Sequence, residues 1–163
     1  MANILYAAIS QDGFIADLDD KTPWSSEETI AFNAFVRTCD AILLGRRSFE
    51  IMRDGQELQP GIRYIVATTK PQHLKGIETV TIETKQDIPE FPKLGVIGGG
   101  ELNGRLAKLG ALDELFLDIE PITLKDGVRL FGNHDIPLKL EPLESRKISS
   151  STMQRHYKIL SSQ

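Results

Sequence analysis

Apolar positions along this chain gather into short runs, and several of the gaps between them carry helical spacing. Strand-like runs occupy residues 4–9, 41–44, 63–67, 79–82, 94–97, 114–119, 138–144 and 155–160. Between them, residues 30–38 carry Phe32, Phe35 and Val36 on one face, residues 48–53 form a short turn of helix, and residues 101–109 set Leu102, Leu106 and Leu109 at helical intervals. Strands alternating with helices through the first two thirds predict right-handed crossovers and a largely parallel sheet covered on both faces. The last third changes character: Asp118 to Pro121, Lys125-Asp126-Gly127 and Gly132-Asn133 punctuate β-type runs, which predicts antiparallel strands along one edge. The expected fold is a three-layer α/β/α domain with a mixed sheet of about eight strands.

Length and composition narrow the picture. A chain of 163 residues fits one domain, residues 1–163, that buries about 70% of its unfolded surface. The proline-bearing stretch Asp87-Ile-Pro-Glu-Phe-Pro92 is too short to divide it. A single cysteine, Cys39, rules out an internal disulfide, and His73, His134 and His156 are too widely spread to spell a metal site, so no metal is expected. The net charge of -4 argues against nucleic acid as a partner, which would need a basic face. Met1-Ala2-Asn3 lead directly into the first strand without a basic leader, and no apolar run approaches the ~20 residues that cross a bilayer, so a cytoplasmic protein is expected.

Three strand-to-helix junctions carry the candidate chemistry. At Gly98-Gly99-Gly100, followed by Glu101 and Leu102, the absence of side chains lets an anion approach amides at a helix start. The bland alternative is close packing of helix on strand. The spacing also fails the G-x-G-x-x-G dinucleotide pattern, because Asn103 stands where the third glycine belongs. At the second junction Gly45 ends a strand, and Arg46, Arg47 and Ser48 open a helix, where arginine opposes the helix dipole unless an anion lies between. The alternative is that both arginines are solvated or paired with Glu50. At the third, Thr68-Thr69-Lys70-Pro71 sets hydroxyls and an amine where NAD-selective folds place an acid, a choice that suits a 2′-phosphate if it is more than an ordinary turn.

Among carboxylates, Glu28 follows Trp24 and precedes Phe32, but Ser25 and Glu28 also spell a capping box. Trp24 suits either plain core or the side of a flat ligand. Asp12-Gly13 reads as a turn, with Asp12 as a polar group at the mouth of a site otherwise. Leu115, Leu117 and Ile119 alternate with Phe116 and Asp118, a half-buried strand that presents Asp118 without identifying a role.

In order, these segments resemble the dihydrofolate reductase fold, and within it the branch containing the reductase domain of bacterial riboflavin biosynthesis and its stand-alone relatives. The residues concerned are Ile9-Ser-Gln-Asp-Gly-Phe-Ile-Ala16, Trp24, Leu44-Gly-Arg-Arg-Ser-Phe-Glu50, Thr68-Thr-Lys-Pro71, Val96-Ile-Gly-Gly-Gly-Glu-Leu102 and Asp113-Glu-Leu-Phe-Leu117. The resemblance implies an NADPH-dependent reductase acting on an aminouracil ribosyl phosphate, with dihydrofolate reduction and a non-catalytic nucleotide-binding module as alternatives. It implies that Gly45, Arg46, Arg47, Ser48, Gly98, Gly99, Gly100, Glu101 and Leu102 line the cofactor, and that Thr68, Thr69 and Lys70 hold its 2′-phosphate. A cis peptide within the glycine pair, a homodimer, catalytic roles for Glu28 and Asp12, and substrate contacts from Trp24 and Phe32 are implied likewise. Glu28 stands four residues before Phe32 as in dihydrofolate reductases, although Trp24 to Glu28 is one residue shorter than usual there. The Asp-Asn-Pro segment of the riboflavin branch is absent.

Overall fold

The longest apolar runs become the middle of one sheet. In a computed structural model describing residues 1–160, the elements in chain order are β1 (Ala2–Ile9), β2 (Phe14–Ala16), α1 (Ser26–Thr38), β3 (Ala41–Gly45), α2 (Arg46–Asp54), β4 (Tyr64–Ala67), β5 (Thr79–Val80), β6 (Lys93–Val96), α3 (Gly100–Lys108), β7 (Glu114–Ile119), β8 (Val128–Arg129), β9 (Lys139–Lys147) and β10 (Met153–Leu160). The last three residues of the expected domain, 161–163, lie outside the described residues.

Eight strands form a mixed sheet in the order β5-β4-β3-β6-β1-β7-β10-β9. Neighbours from β5 to β7 run parallel, and β10 and β9 add two antiparallel pairings at the carboxyl-terminal edge, as the change of pattern in the last third predicts. Central strands have both faces covered, which is why residues 4–9 and 41–44 are continuous apolar runs rather than alternating ones. Ile42, Leu44 and Val66 pack with Val36 of α1 and Phe49 of α2. On the opposite face Leu5, Leu43, Leu94, Val96 and Leu115 pack with Leu102 and Leu106 of α3. Each such side chain contributes about 1.5–3 kcal/mol on burial, so the two clusters fix both outer layers. No described helix is long and apolar enough to cross a membrane.

Several boundaries differ from the sequence pattern, each for a local reason. Helix α1 begins at Ser26, four residues before its apolar face becomes visible, because the Ser25 hydroxyl accepts a bond from the Glu28 amide at 3.3 Å. Helix α2 begins at Arg46, directly after β3, with Gly45 as its cap residue. The run at residues 79–82 keeps ladder pairing only over Thr79–Val80. Strands β2 and β8 form a small antiparallel ribbon of their own, too short to leave an alternation in the sequence.

The topology positions a crevice. Strands β3 and β6 are neighbours, but β3 feeds α2 on one face of the sheet and β6 feeds α3 on the other. Chain direction therefore diverges at the carboxyl ends of these two strands, the switch point at which open α/β sheets take ligands.

Candidate active site

A groove of about 380 Å³ opens at that switch point. Gly45, Arg46, Arg47 and Ser48 line it from the β3–α2 junction, Thr68 and Thr69 from the end of β4, and Gly99, Gly100, Glu101 and Leu102 from the start of α3. Three junctions that the sequence flags separately thus meet in one place. Helices α2 and α3 both start in the groove, and neither has a side chain capping its first amides. Two sets of free N–H groups and two positive dipole ends face the same space, which suits phosphate oxygens. Lys70 stands just beyond the wall, exposed, with its amide bonded to Thr68 Oγ1 at 3.0 Å.

The arginines do not stand alone. Arg46 pairs with Glu50 at 3.0 Å, as the bland reading of this helix anticipates, and Arg47 pairs with Asp20 in the loop before α1. Both pairs are largely exposed, and a guanidinium has five donors, so these contacts leave donors for an anion.

The glycines divide their tasks. Gly98 has φ of 110°, in the region that favours glycine, and the Gly98–Gly99 peptide is cis. The Gly98 carbonyl accepts the Gly45 amide at 2.7 Å, tying the two junctions together. Gly100 serves close packing, since a Cβ there would come 2.5 Å from the Arg129 carbonyl oxygen and 2.8 Å from the Gly132 nitrogen. The close-packing reading of the glycine run therefore holds at Gly100. Glu101 bonds His134 Nε2 at 3.0 Å across the mouth of α3.

Two strands further along the same carboxyl edge, at the end of β7 and the start of α1, lies a buried acid cluster. Glu28 is 4% exposed and Asp118 is wholly buried. The capping box expected around Glu28 forms only by half. Ser25 takes the Glu28 amide, but its own amide and hydroxyl turn to Glu120, at 3.4 Å and 2.8 Å, and Thr152 Oγ1 donates to the same carboxylate at 3.0 Å. The Glu28 side chain is thereby free of capping and lies against Asp118. Burial, then the charge of and hydrogen bond to Asp118, then the charge of Glu120 push the Glu28 carboxyl up to about 8. Burial likewise raises Asp118, opposed by bonds from Tyr6, Gln154 and Glu28. The Tyr6 hydroxyl is pushed far above its usual range by burial and by Asp118.

Phe32 lies one turn beyond Glu28 on α1, half-buried, with its ring edge-on to Tyr6 at 5.8 Å. Trp24 is half-exposed just before the α1 cap. Asp12 engages the backbone: its carboxylate accepts from Ser10 Oγ at 2.6 Å and from the amides of Leu124 and Lys125 at 3.2 Å and 2.8 Å, bonds that hold it below the usual carboxylate range. The turn reading accounts for these contacts, with Gly13 at φ of 91°. Tyr6, Gln154, Thr152 and Glu120 carry no signal as site residues in the sequence. Asp118 does, as an acid inside an otherwise apolar strand.

No family model matches this chain. An uncharacterised protein of Bacillus subtilis (strain 168), YwjB, is 28% identical over 94% of this chain and 95% of its own length. A putative riboflavin biosynthesis protein from Shewanella sp. PV-4 superposes with a TM-score of 0.78 at 24% identity, covering 98% of this chain and 99% of that one. The dihydrofolate reductase of Enterococcus faecalis, complexed with NADP(H) and RAB-propyl, superposes with a TM-score of 0.72 at 21% identity, covering 97% of this chain and 96% of that one. The chain therefore has the dihydrofolate reductase-like fold, and its likeness to the Shewanella protein covers 98% of its length.

Proposed function

We propose that this protein is an NADPH-dependent oxidoreductase that reduces a small heterocycle-containing substrate resembling 5-amino-6-(5-phosphoribosylamino)uracil. The observation that carries the reading is the meeting of two uncapped helix starts, two arginines and a serine in one groove, beside a buried acid. Fit to the cofactor rests on that donor set. The amides at Gly100 and Arg46, with the guanidinium groups of Arg46 and Arg47 and the Ser48 hydroxyl, would hold the bridging phosphates. Thr68, Thr69 and Lys70 would take the 2′-phosphate, and the lack of an acid among them favours NADPH over NADH.

When bound, the cofactor supplies the hydride. The protein's own share is alignment and proton bookkeeping at the acceptor. Glu28 would bond the heterocycle, with Phe32 and Trp24 flanking it and Asp12 holding the 10–14 turn against the 122–125 loop. A second reading, dihydrofolate reduction, is favoured by one observation: Glu28 and Phe32 share a face of α1, four residues apart, with the acid buried. A cytoplasmic location and a homodimer complete the proposal. Strand β9 is exposed along its whole length and turns Leu140 and Leu143 outward, which offers an edge to a second copy.

The test is a titration with NADPH and separately with NADH, followed by quenching of Trp24 and by calorimetry. Micromolar NADPH binding, about -8 kcal/mol, clearly tighter than NADH, is expected, followed by NADPH oxidation with the aminouracil ribosyl phosphate. Oxidation with dihydrofolate alone selects the second reading. Absence of binding to either cofactor refutes both, and binding without turnover leaves a nucleotide-binding module.

A further inference from the structure

Glu28 meets a second acid in its pocket. Asp118 stands on β7 at the level of Ala8 on β1 and Gln154 on β10, so its side chain enters the sheet face that α1 covers. The Tyr6 hydroxyl donates to Asp118 Oδ2, and Gln154 Nε2 donates to Asp118 Oδ1 at 2.9 Å. Gln154 is itself oriented by Arg146 of β9, whose Nε donates to Gln154 Oε1 at 2.9 Å. Glu28 reaches the same carboxyl from α1. The remaining acid nearby, Glu120, is engaged by Ser25 and Thr152. His156, next along β10, is stacked on Phe116 and bonded to Glu114 at 2.6 Å.

This arrangement is unequal. Asp118 has two fixed donors, one of them backed by an arginine, and a carboxylate with such partners keeps its charge. Glu28 faces two acids and no cation. Two adjacent buried carboxyls do not both ionise, and the proton stays on the one with fewer donors.

We propose that Asp118 is a positioning residue for the reductase site, which remains ionised beneath Tyr6 and Gln154 and holds Glu28 as a neutral acid at neutral pH, so that the pair shares one proton. The proton sits on Glu28 and is donated to Asp118, fixing the Glu28 carboxyl plane. The other Glu28 oxygen is then a carbonyl acceptor turned from Asp118, suited to a ring N–H, and the Glu28–Asp118 pair carries one negative charge instead of two. The functional consequence rests on the role proposed for Glu28 above, but the shared proton is a property of the free protein.

The experiment is a carboxyl carbon NMR titration of the full chain, labelled in Asp and Glu side chains, without cofactor or substrate. In the wild type the Glu28 resonance should stay in its acid form through pH 7 and titrate near 8. Asp118→Asn should lower that midpoint by about one pH unit or more, because it removes the facing charge and keeps the shape. Glu28→Gln, neutral at every pH, should leave the Asp118 midpoint almost where it is in the wild type, because Glu28 is already neutral while Asp118 titrates, and this variant answers the question if Asp118→Asn does not fold. Glu28 already ionised at pH 6, a Glu28 midpoint unmoved in Asp118→Asn, or an Asp118 midpoint that falls by about a unit in Glu28→Gln, overturns the proposal. Failure of NADPH binding would instead remove the reductase reading and leave these titrations unchanged.

Discussion

Replacing Glu28 by Gln should make the protein more stable and less active, and the gain in stability should grow with pH. The Glu28 carboxyl titrates near 8 in the folded protein against an ordinary 4.5. Between those values the folded state holds a proton that the unfolded chain has released, so unfolding releases a proton and stability falls as pH rises. The slope is about 1.4 kcal/mol per pH unit for one proton. At pH 7, about 2.5 units above the ordinary value, holding Glu28 neutral costs the fold about 3 kcal/mol. Gln fills the same space and never ionises, so it recovers most of that cost. The loss is large beside a typical stability of 5–15 kcal/mol and is the kind a site retains for function. Urea unfolding at intervals from pH 5 to pH 8.5 measures it. The two proteins should converge near pH 5 and differ by about 3 kcal/mol at pH 7, with the difference levelling off above pH 8. A difference that does not change with pH, or a variant less stable than the wild type at pH 7, would refute the reasoning.

Three further outcomes are expected. Thr68→Asp should weaken NADPH binding about tenfold or more, and NADH binding much less, by setting a negative charge where the 2′-phosphate is proposed to lie; equal loss for both cofactors in calorimetry would move the phosphate site elsewhere. Gly100→Ala should destabilise by about 1–3 kcal/mol in thermal unfolding, because its Cβ would meet backbone atoms that cannot yield, and an unchanged midpoint would contradict the packing role. Asp12→Asn should loosen the 10–14 turn and the 122–125 loop, read as faster amide exchange at Leu124 and Lys125, with turnover little altered. A collapse of turnover with exchange unchanged would give Asp12 a role in the chemistry.

Much of the sheet was legible because its strands are continuous apolar runs bounded by glycine and polar turns. Strands β1, β3, β6 and β7 were visible on that ground, and the antiparallel edge on the change of punctuation after Asp118. Strands β2 and β8 were not, since three and two residues are too few to show an alternation. The groove at the switch point was legible junction by junction, because a strand ending in glycine before a helix is a local pattern. The convergence of Gly45, Thr68 and Gly99 on one crevice needed the topology.

The acid cluster shows where local reading stops. Ser25 and Glu28 spell a capping box, and within residues 25–28 nothing decides whether Glu28 closes it. The decision comes from Glu120, 95 positions away, which takes the Ser25 hydroxyl and amide and so leaves Glu28 uncommitted. Asp118 is similar: its partners Tyr6 and Gln154 lie 112 and 36 positions away, brought beside it only by the pairing of β1, β7 and β10. The local cue was an acid within Leu115-Phe-Leu-Asp-Ile119, a strand otherwise apolar. Burying an unpaired charge there would cost several kcal/mol, so such an acid must have partners on neighbouring strands. Asp12 carries the opposite cue, an acid beside a glycine at a turn, and its partners are the hydroxyl of Ser10 two residues before it and backbone amides that any ordered loop could supply. Between two acids of equal prominence in the sequence, the one inside the apolar strand is the stronger candidate for site chemistry.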